Sequence, residues 1–223
     1  MMRPTLTVLF SLFLFAFQAT GAEHRVEVKT EGPPADKLSK EIAAQISPTG
    51  FQVIRGKSRV VCEIWLCKQW AVKADFKPNN EILYPFSPGQ LVGVARFPRK
   101  GSDFRDQEIS AGVYTLRYSL QPVDGNHVGT SPTRDFFLLV NAEADKSPAP
   151  LDIDKLIEQS AEAAGSMHPA MLCLQQPDKG GKLAIRHNEE HDWWIVSVQG
   201  TTKAGKKEAN LPIELVVVGT ASE

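Results

Sequence analysis

The stretch Val113–Gln121, VYTLRYSLQ, decides the fold class. Large apolar side chains alternate there with smaller or polar ones, which is the period of a β-strand that places one face on a hydrophobic core. We therefore expect a half-buried strand. Its core face carries Tyr114, Leu116, Tyr118 and Leu120, and its other face carries Val113, Thr115, Arg117, Ser119 and Gln121.

The residues that lead into this strand are Ala111-Gly112-Val113-Tyr114. The order is a small residue, a glycine, any residue and then a tyrosine at the start of the strand. This order resembles the corner pattern of immunoglobulin-like sandwiches. The pattern favours a sandwich and carries no information on function.

Strand signals recur along the rest of the chain. Val60–Trp70 is almost wholly apolar and predicts one long central strand buried on both faces. Lys182–His187 and Trp193–Gln199 predict a hairpin. Other predicted strands are FQVIR (51–55), LVGVARF (91–97), FFLLV (136–140), Ala170–Gln175 and Leu211–Val218.

Two helices and two charged connections complete the prediction. We predict helices over about Asp36–Gln45 and over Asp152–Ala164, and Gly165 ends the second helix. Arg99–Glu108 is predicted to be a solvated loop, and TTKAGKKEAN (201–210) a polar turn. Roughly nine or ten strands joined by Gly/Pro turns predict an all-β, antiparallel β-sandwich, immunoglobulin-like or jelly-roll-like, with two short helices.

The first 22 residues have the pattern of a secretory signal peptide. Arg3 supplies a positive start, an apolar run follows, and small residues precede a cleavage site near Ala22. Residues 23–223 then form a single mature domain. We expect a secreted or periplasmic protein with no transmembrane segment in its mature chain, because no later apolar run reaches membrane-spanning length.

Bulk composition excludes one class of partner. The chain has 223 residues, 42% hydrophobic and 23% charged, with a formal net charge of −1. No long basic stretch is present, so we expect no nucleic-acid binding.

The three cysteines allow three interpretations. Cys62 and Cys67 lie an odd number of residues apart in one strand-like run, so their side chains point to opposite faces and do not favour a bridge between them. Buried free thiols are the first interpretation, and a disulfide from Cys173 to Cys62 or Cys67 is the second. A metal or catalytic role is the third, which the lack of CxxC spacing or a Cys–His pair disfavours.

The loop from Asp124 to Asp135 is the predicted ligand-binding segment. Loops on a rigid sandwich tend to present binding groups, although several of these residues are also ordinary turn formers. His168, before Pro169 at a strand entrance, is a further candidate. The predicted ligand-binding residues are Asp124, Asn126, His127, Arg134, Asp135 and His168.

An alternative prediction is a metal site. Imidazole and carboxylate groups suit zinc or copper, and the histidines available are His127, His168, His187 and His191. His187 and His191 straddle the predicted hairpin turn, which could bring them together or leave both in solvent. No cofactor other than this alternative zinc or copper is predicted.

Adjacent tryptophans offer a further feature. Trp193 and Trp194 must point to opposite faces of their strand, so one reaches the core and the other covers a second layer or reaches solvent. An exposed indole would suit sugar stacking.

Several motifs together resemble a family of secreted bacterial proteins of unknown function. They are CEIWLCK, RFPRKGSDFRDQEI, AGVYTLRY, LQPVDGNH and HPA, spread over most of the chain after residue 22. The resemblance implies a signal peptide and a β-sandwich body, and brings no established activity, cofactor or catalytic residue.

Function is predicted only coarsely. No nucleophile elbow, zinc-protease helix, phosphate loop or dinucleotide fingerprint is present, so whether the protein is an enzyme stays open, with the balance against it. We expect an exported non-enzymatic binding or structural domain whose partner is an envelope protein or a glycan. The alternative is a metal-binding protein or metal-dependent hydrolase that uses the loop histidines.

Overall fold

The computed structural model describes residues 23–125, 127, 129–177 and 181–221. The predicted signal peptide and Asn126 lie outside the described residues. The helices are α1 (Lys40–Gln45) and α2 (Ile153–Ala164), and a short 3-10 turn at Ala35–Lys37 precedes α1. The strands are β1 (His24–Lys29), β2 (Gly50–Arg55), β3 (Arg59–Leu66), β4 (Trp70–Ala71), β5 (Leu91–Phe97), β6 (Gly101–Ser102), β7 (Glu108–Ile109), β8 (Gly112–Leu120), β9 (Asp135–Asn141), β10 (Met171–Gln175), β11 (Ala184–Asn188), β12 (Trp193–Ala204) and β13 (Lys207–Val218).

The main sheet folds over on itself at β10. Its order is β1-β2-β3-β5-β8-β9-β10-β13-β12-β11, with every neighbour antiparallel, and β4 adds to β12 in parallel. Met171–Cys173 pair with β9, whereas Leu174 and Gln175 pair with β13. We call β1, β2, β3, β5, β8 and β9 the first half and β13, β12, β11 and β4 the second half.

The two halves enclose one hydrophobic core. Leu116 and Phe137 from the first half pack in the same buried cluster as Val196 and Leu215 from the second. The predicted all-β, antiparallel fold with two short α-helices is confirmed; the choice between immunoglobulin-like and jelly-roll-like stays a prediction.

The corner pattern before β8 has the expected geometry. The Tyr114 hydroxyl donates a hydrogen bond of 2.9 Å to the Ser110 carbonyl, four residues upstream. This bond ties the turn to the strand that follows it, as a tyrosine corner does.

The half-buried prediction for β8 was wrong, because both faces are buried. Thr115, Arg117 and Ser119 are covered as completely as the apolar face. The covering segment runs from Asp145 to Leu151, and its polar groups hydrogen-bond Arg117. Next to it, α2 places Leu156 on the outer face of β9.

α2 itself was predicted closely. The Asp152 carboxylate accepts from the backbone N–H groups of Asp154 and Lys155, which caps the helix start. Gly165 follows the last turn with φ 61°, a left-handed conformation that favours glycine. Within the described residues no helix has the length and apolar character needed to cross a membrane.

The predicted central strand Val60–Trp70 divides into two strands in different halves. Residues 62–67 are buried, as predicted, and Glu63 among them pairs with Lys29 and Arg96 at 3.2 and 3.0 Å. The strand ends at Leu66, and the chain crosses to the second half, where Trp70 pairs with β12.

Both charged connections are more ordered than predicted. In 99–108, Asp103 and Phe104 are buried, and the segment contributes β6 and the start of β7. In 201–210, the chain forms a ladder between β12 and β13 and turns only at Gly205-Lys206. The polar and charged residues of this paired hairpin have the low hydrophobicity of a loop, so hydrophobicity alone does not distinguish the two.

The three cysteines are free and buried. Cys62 and Cys67 belong to the core between the halves, whereas Cys173 belongs to the cluster beneath α2. The free-thiol interpretation therefore describes this structure.

Gly200 in β12 provides a test of how closely the Trp70 indole packs against this strand. A Cβ at this position would overlap ring carbons of Trp70, whose indole is fixed by a 2.9 Å hydrogen bond to the Val92 carbonyl. We expect Gly200→Ala to lower the free energy of unfolding by about 1–3 kcal/mol, because overpacking forces side chains and backbone to shift. Urea denaturation measures this change.

Gly32→Ala is the matched control. The nearest atom to a Cβ there is the Pro48 carbonyl oxygen at 3.8 Å, an ordinary contact. Equal effects of the two substitutions would contradict the overlap argument.

Candidate functional site

The predicted ligand-binding loop is only partly exposed. Asp124 is exposed, and His127 Nδ1 lies 2.6 Å from its Oδ1. Asn126, between them, lies outside the described residues. This pair is the part of the predicted site that remains at the surface.

Arg134 and Asp135 are engaged by the protein itself. The Arg134 Nε donates to the Gln121 carbonyl at 2.9 Å, and Nη1 lies 3.5 Å from Glu81. Asp135 is fully buried, and accepts from the Tyr118 hydroxyl and from two backbone N–H groups. Burial raises the pKa of Asp135, although these hydrogen bonds act in the opposite direction.

His168 lies in the exposed loop after α2. Its backbone N–H donates to the Ser166 hydroxyl at 3.0 Å, and that hydroxyl donates to its carbonyl at 2.9 Å. These hydrogen bonds to the backbone of His168 hold the loop, and its imidazole takes no part in them.

The hairpin histidines diverge. His187 stacks on Trp194 with ring centroids 4.5 Å apart, and His191 stacks on Trp193 at 4.3 Å. Because consecutive residues of β12 face opposite sides of the sheet, the two imidazoles lie on opposite sides. Across the described residues, no three or more His, Cys, Asp or Glu side chains gather in a group that could hold a metal ion.

The tryptophan pair divides as predicted. Trp193 is buried, with Nε1 donating to the Thr220 carbonyl at 2.7 Å. Trp194 is partly exposed and packs against two imidazoles, those of His187 and His24.

A different site lies at one end of the two halves. A cavity of about 260 Å³ opens there, and we call it the basic pocket. Two turns form its rim, the β2–β3 turn and the segment after β5, while the C-terminal end of β13 closes its other side. Its rim carries Arg55, Arg59, Arg99 and Lys100.

The charges on this rim are unbalanced. Arg55, Arg59 and Arg99 are exposed and have no ion-pair partner within the described part of the chain, and no described acidic residue lines the cavity. Lys100 alone is paired, with Glu108 at 2.7 Å.

Two of these arginines lie directly opposite each other. Arg55 and Arg59 are cross-strand partners at the end of the β2–β3 ladder. Partners in such a ladder have Cα atoms about 4.5–5.5 Å apart, and like charges there are destabilising. A local electrostatic cost without a structural gain is typical of functional positions.

The turn between these arginines is held rigidly. Gly56 adopts φ 59°, and the Arg25 guanidinium donates to the carbonyls of Gly56 and Lys57. Arg25 itself is paired with Glu27 at 2.9 Å. The turn is therefore held by other groups, and no described residue forms an ion pair with Arg55 or Arg59.

His24 supplies the one buried polar group of the pocket wall among the described residues. It is 7% exposed, and its Nδ1 has no hydrogen-bond partner in the part of the chain that the structure describes. Burial lowers the pKa of His24, and the nearby positive charges of Arg55 and His187 add to this effect, while Asp192 opposes it.

Sequence reasoning missed the basic pocket. Its groups come from two short segments, IRGKSR (54–59) and PRK (98–100), which are more than 35 residues apart in sequence. Neither is a long basic run. The detectable signal was the pair Arg55 and Arg59 around a Gly-Lys-Ser turn, which predicts two arginines opposite each other in a hairpin.

Searches against family models, curated proteins and solved structures return no match to the chain. The resemblance to a family of secreted bacterial proteins therefore stays a prediction. The basic pocket is the feature of the structure that points to a function.

Proposed function

We propose that the protein is an exported, non-enzymatic binding domain that holds an anionic ligand, such as a charged component of the cell envelope, in the basic pocket. The observation that supports this most strongly is the set of three guanidinium groups around a cavity, none of which has an ion-pair partner among the described residues. Guanidinium groups bind carboxylate and phosphate oxygens in bidentate fashion, and remain charged at all physiological pH values.

Binding is favoured over catalysis by the state of the cysteines. Burial raises the pKa of Cys62 and of Cys67 to about 12, and that of Cys173 to about 11. Thiols in this state are poor nucleophiles at neutral pH. The basic pocket offers groups that hold charge rather than a paired nucleophile and base.

Glucose 6-phosphate and glucose form a matched pair of probes for this function. In calorimetric titrations with EDTA present, we expect the purified protein to bind the phosphorylated sugar and not the neutral one. Binding should weaken as salt is added, since exposed charges are screened. EDTA separates this function from one that depends on a bound metal.

Single substitutions of the rim then identify the site. Arg59→Ala is expected to weaken glucose 6-phosphate binding about tenfold, the effect of one charge-assisted hydrogen bond at an exposed position. Arg55→Ala/Arg59→Ala/Arg99→Ala is expected to abolish it. These side chains are exposed, so the variants should fold normally.

The control removes the same number of charges elsewhere. Lys203→Ala/Lys206→Ala/Lys207→Ala alters the far end of the β12–β13 hairpin, about 30 Å along β12 from Trp194. Equal loss of binding in both triple variants would show a general charge effect and contradict the assignment of the site.

A further inference from the structure

The walls of the basic pocket carry five apolar side chains besides His24. Val60 and Val61 of β3 and Phe97 of β5 face Val217 and Val218 of β13 across the cavity. Phe97 and Val217 are almost fully buried and belong to the core between the halves. The pocket is therefore an opening into the edge of the hydrophobic core, surrounded by positive charge.

We propose that the ligand of the basic pocket is an amphiphilic anion, whose charged head binds the arginines and whose apolar chain enters between the two halves. This inference rests on the anion-binding function proposed above. Ion pairs at an exposed rim supply only part of the affinity that the site can reach, because water and salt screen them. A ligand gains additional affinity when its own apolar surface is buried against the apolar side chains of the cavity.

The arrangement of polar groups agrees with this ligand. The guanidinium groups lie on the exposed rim, and the unpartnered Nδ1 of His24 lies in the wall. A ligand that was charged along its whole length would place charge against the valines, which is unfavourable. An anionic head joined to an apolar chain satisfies both regions.

A chain-length series tests the proposal with the purified protein. Inorganic phosphate, methyl phosphate, butyl phosphate and hexyl phosphate are titrated in the same buffer by calorimetry. We expect the affinity to rise about fourfold for each methylene that is buried, and to level off when the chain fills the cavity. Affinity that is the same for methyl and hexyl phosphate would overturn the proposal.

Val60→Ser separates the apolar wall from the charged rim. Val60 is only half-buried, so a serine there is accommodated without opening the core. We expect the variant to bind inorganic phosphate like the unmodified protein and to show a smaller gain with chain length. An unchanged gain would place the chain outside the cavity and overturn the proposal.

The outcomes distinguish this proposal from the function on which it rests. If all phosphates bind equally and require Arg55, Arg59 and Arg99, the protein binds anions and the amphiphilic ligand is excluded. If none of the phosphates binds, both proposals fail. If hexyl phosphate binds best, vesicles that contain phosphatidic acid show whether a lipid surface competes for the site; with either source, the amphiphilic ligand is supported.

Discussion

Replacement of Arg117 by methionine is expected to lower the free energy of unfolding by about 3–5 kcal/mol. The Arg117 side chain is fully buried, and its Nε and Nη2 donate to the Asp145 carboxylate at 2.7 and 2.9 Å. Nη1 donates to the carbonyls of Gly89 and Ala149, both at 2.8 Å. Removing the guanidinium leaves a buried carboxylate whose only remaining side-chain donor among the described residues is Thr115.

Two further variants show whether the isolated charge is the cause. Arg117→Met/Asp145→Leu removes both partners and is expected to recover much of the loss, since a buried ion pair replaced by apolar groups is often neutral. Arg105→Met at an exposed position is expected to change stability by less than about 0.5 kcal/mol. All three are compared by urea denaturation. An effect of Arg117→Met no larger than that of Arg105→Met would contradict the argument.

Arg117 also marks the limit of what the sequence predicts about the fold. Period-2 alternation correctly showed which residues of β8 share a face. It could not show what covers the polar face, because the covering residue, Asp145, lies 28 positions along the chain. The alternation therefore predicts that the polar face meets solvent, although Thr115 and Arg117 on that face are buried and hydrogen-bonded to Asp145.

The same limit applies to the strand breaks and to the site. Lys68 and Gln69 interrupt the run Val60–Trp70 just after β3 ends at Leu66, but the pattern does not show that the buried residues on either side lie in different halves. The hairpin that pairs Arg55 with Arg59 is a local feature and could be predicted. The approach of Arg99 to that pair could not, since it depends on how β5 ends beside β3.

Asp135→Ala is expected to lower the free energy of unfolding by about 3 kcal/mol or more. The substitution leaves three donors inside the protein without an acceptor: the Tyr118 hydroxyl at 2.6 Å and the backbone N–H groups of Leu83 and Tyr84 at 2.9 and 3.1 Å. Asp135→Asn keeps one acceptor oxygen and is expected to cost less. If either variant loses ligand binding with unchanged urea stability, Asp135 is a binding residue, as the sequence predicted.

The difference in stability between the unmodified protein and Asp135→Asn, measured as a function of pH, tests whether burial or hydrogen bonding has the larger effect on the pKa of Asp135. Burial raises the pKa of Asp135 above its ordinary value, against the hydrogen bonds that lower it. The folded protein therefore holds this proton more tightly than the unfolded chain, whose carboxyl titrates near a pKa of about 3.9. Stability from this group is complete below the unfolded pKa and is lost as the pH rises through the folded pKa.

The stability advantage of the unmodified protein over Asp135→Asn should consequently be greater at pH 3.5 than at pH 7. Burial also raises the pKa of Asp103, but that residue is present in both proteins, so its contribution cancels from the difference. Urea denaturation at the two pH values measures the sign. An advantage that grows with pH would mean that the three hydrogen bonds outweigh burial, and that the carboxylate is the form for which this part of the core is built.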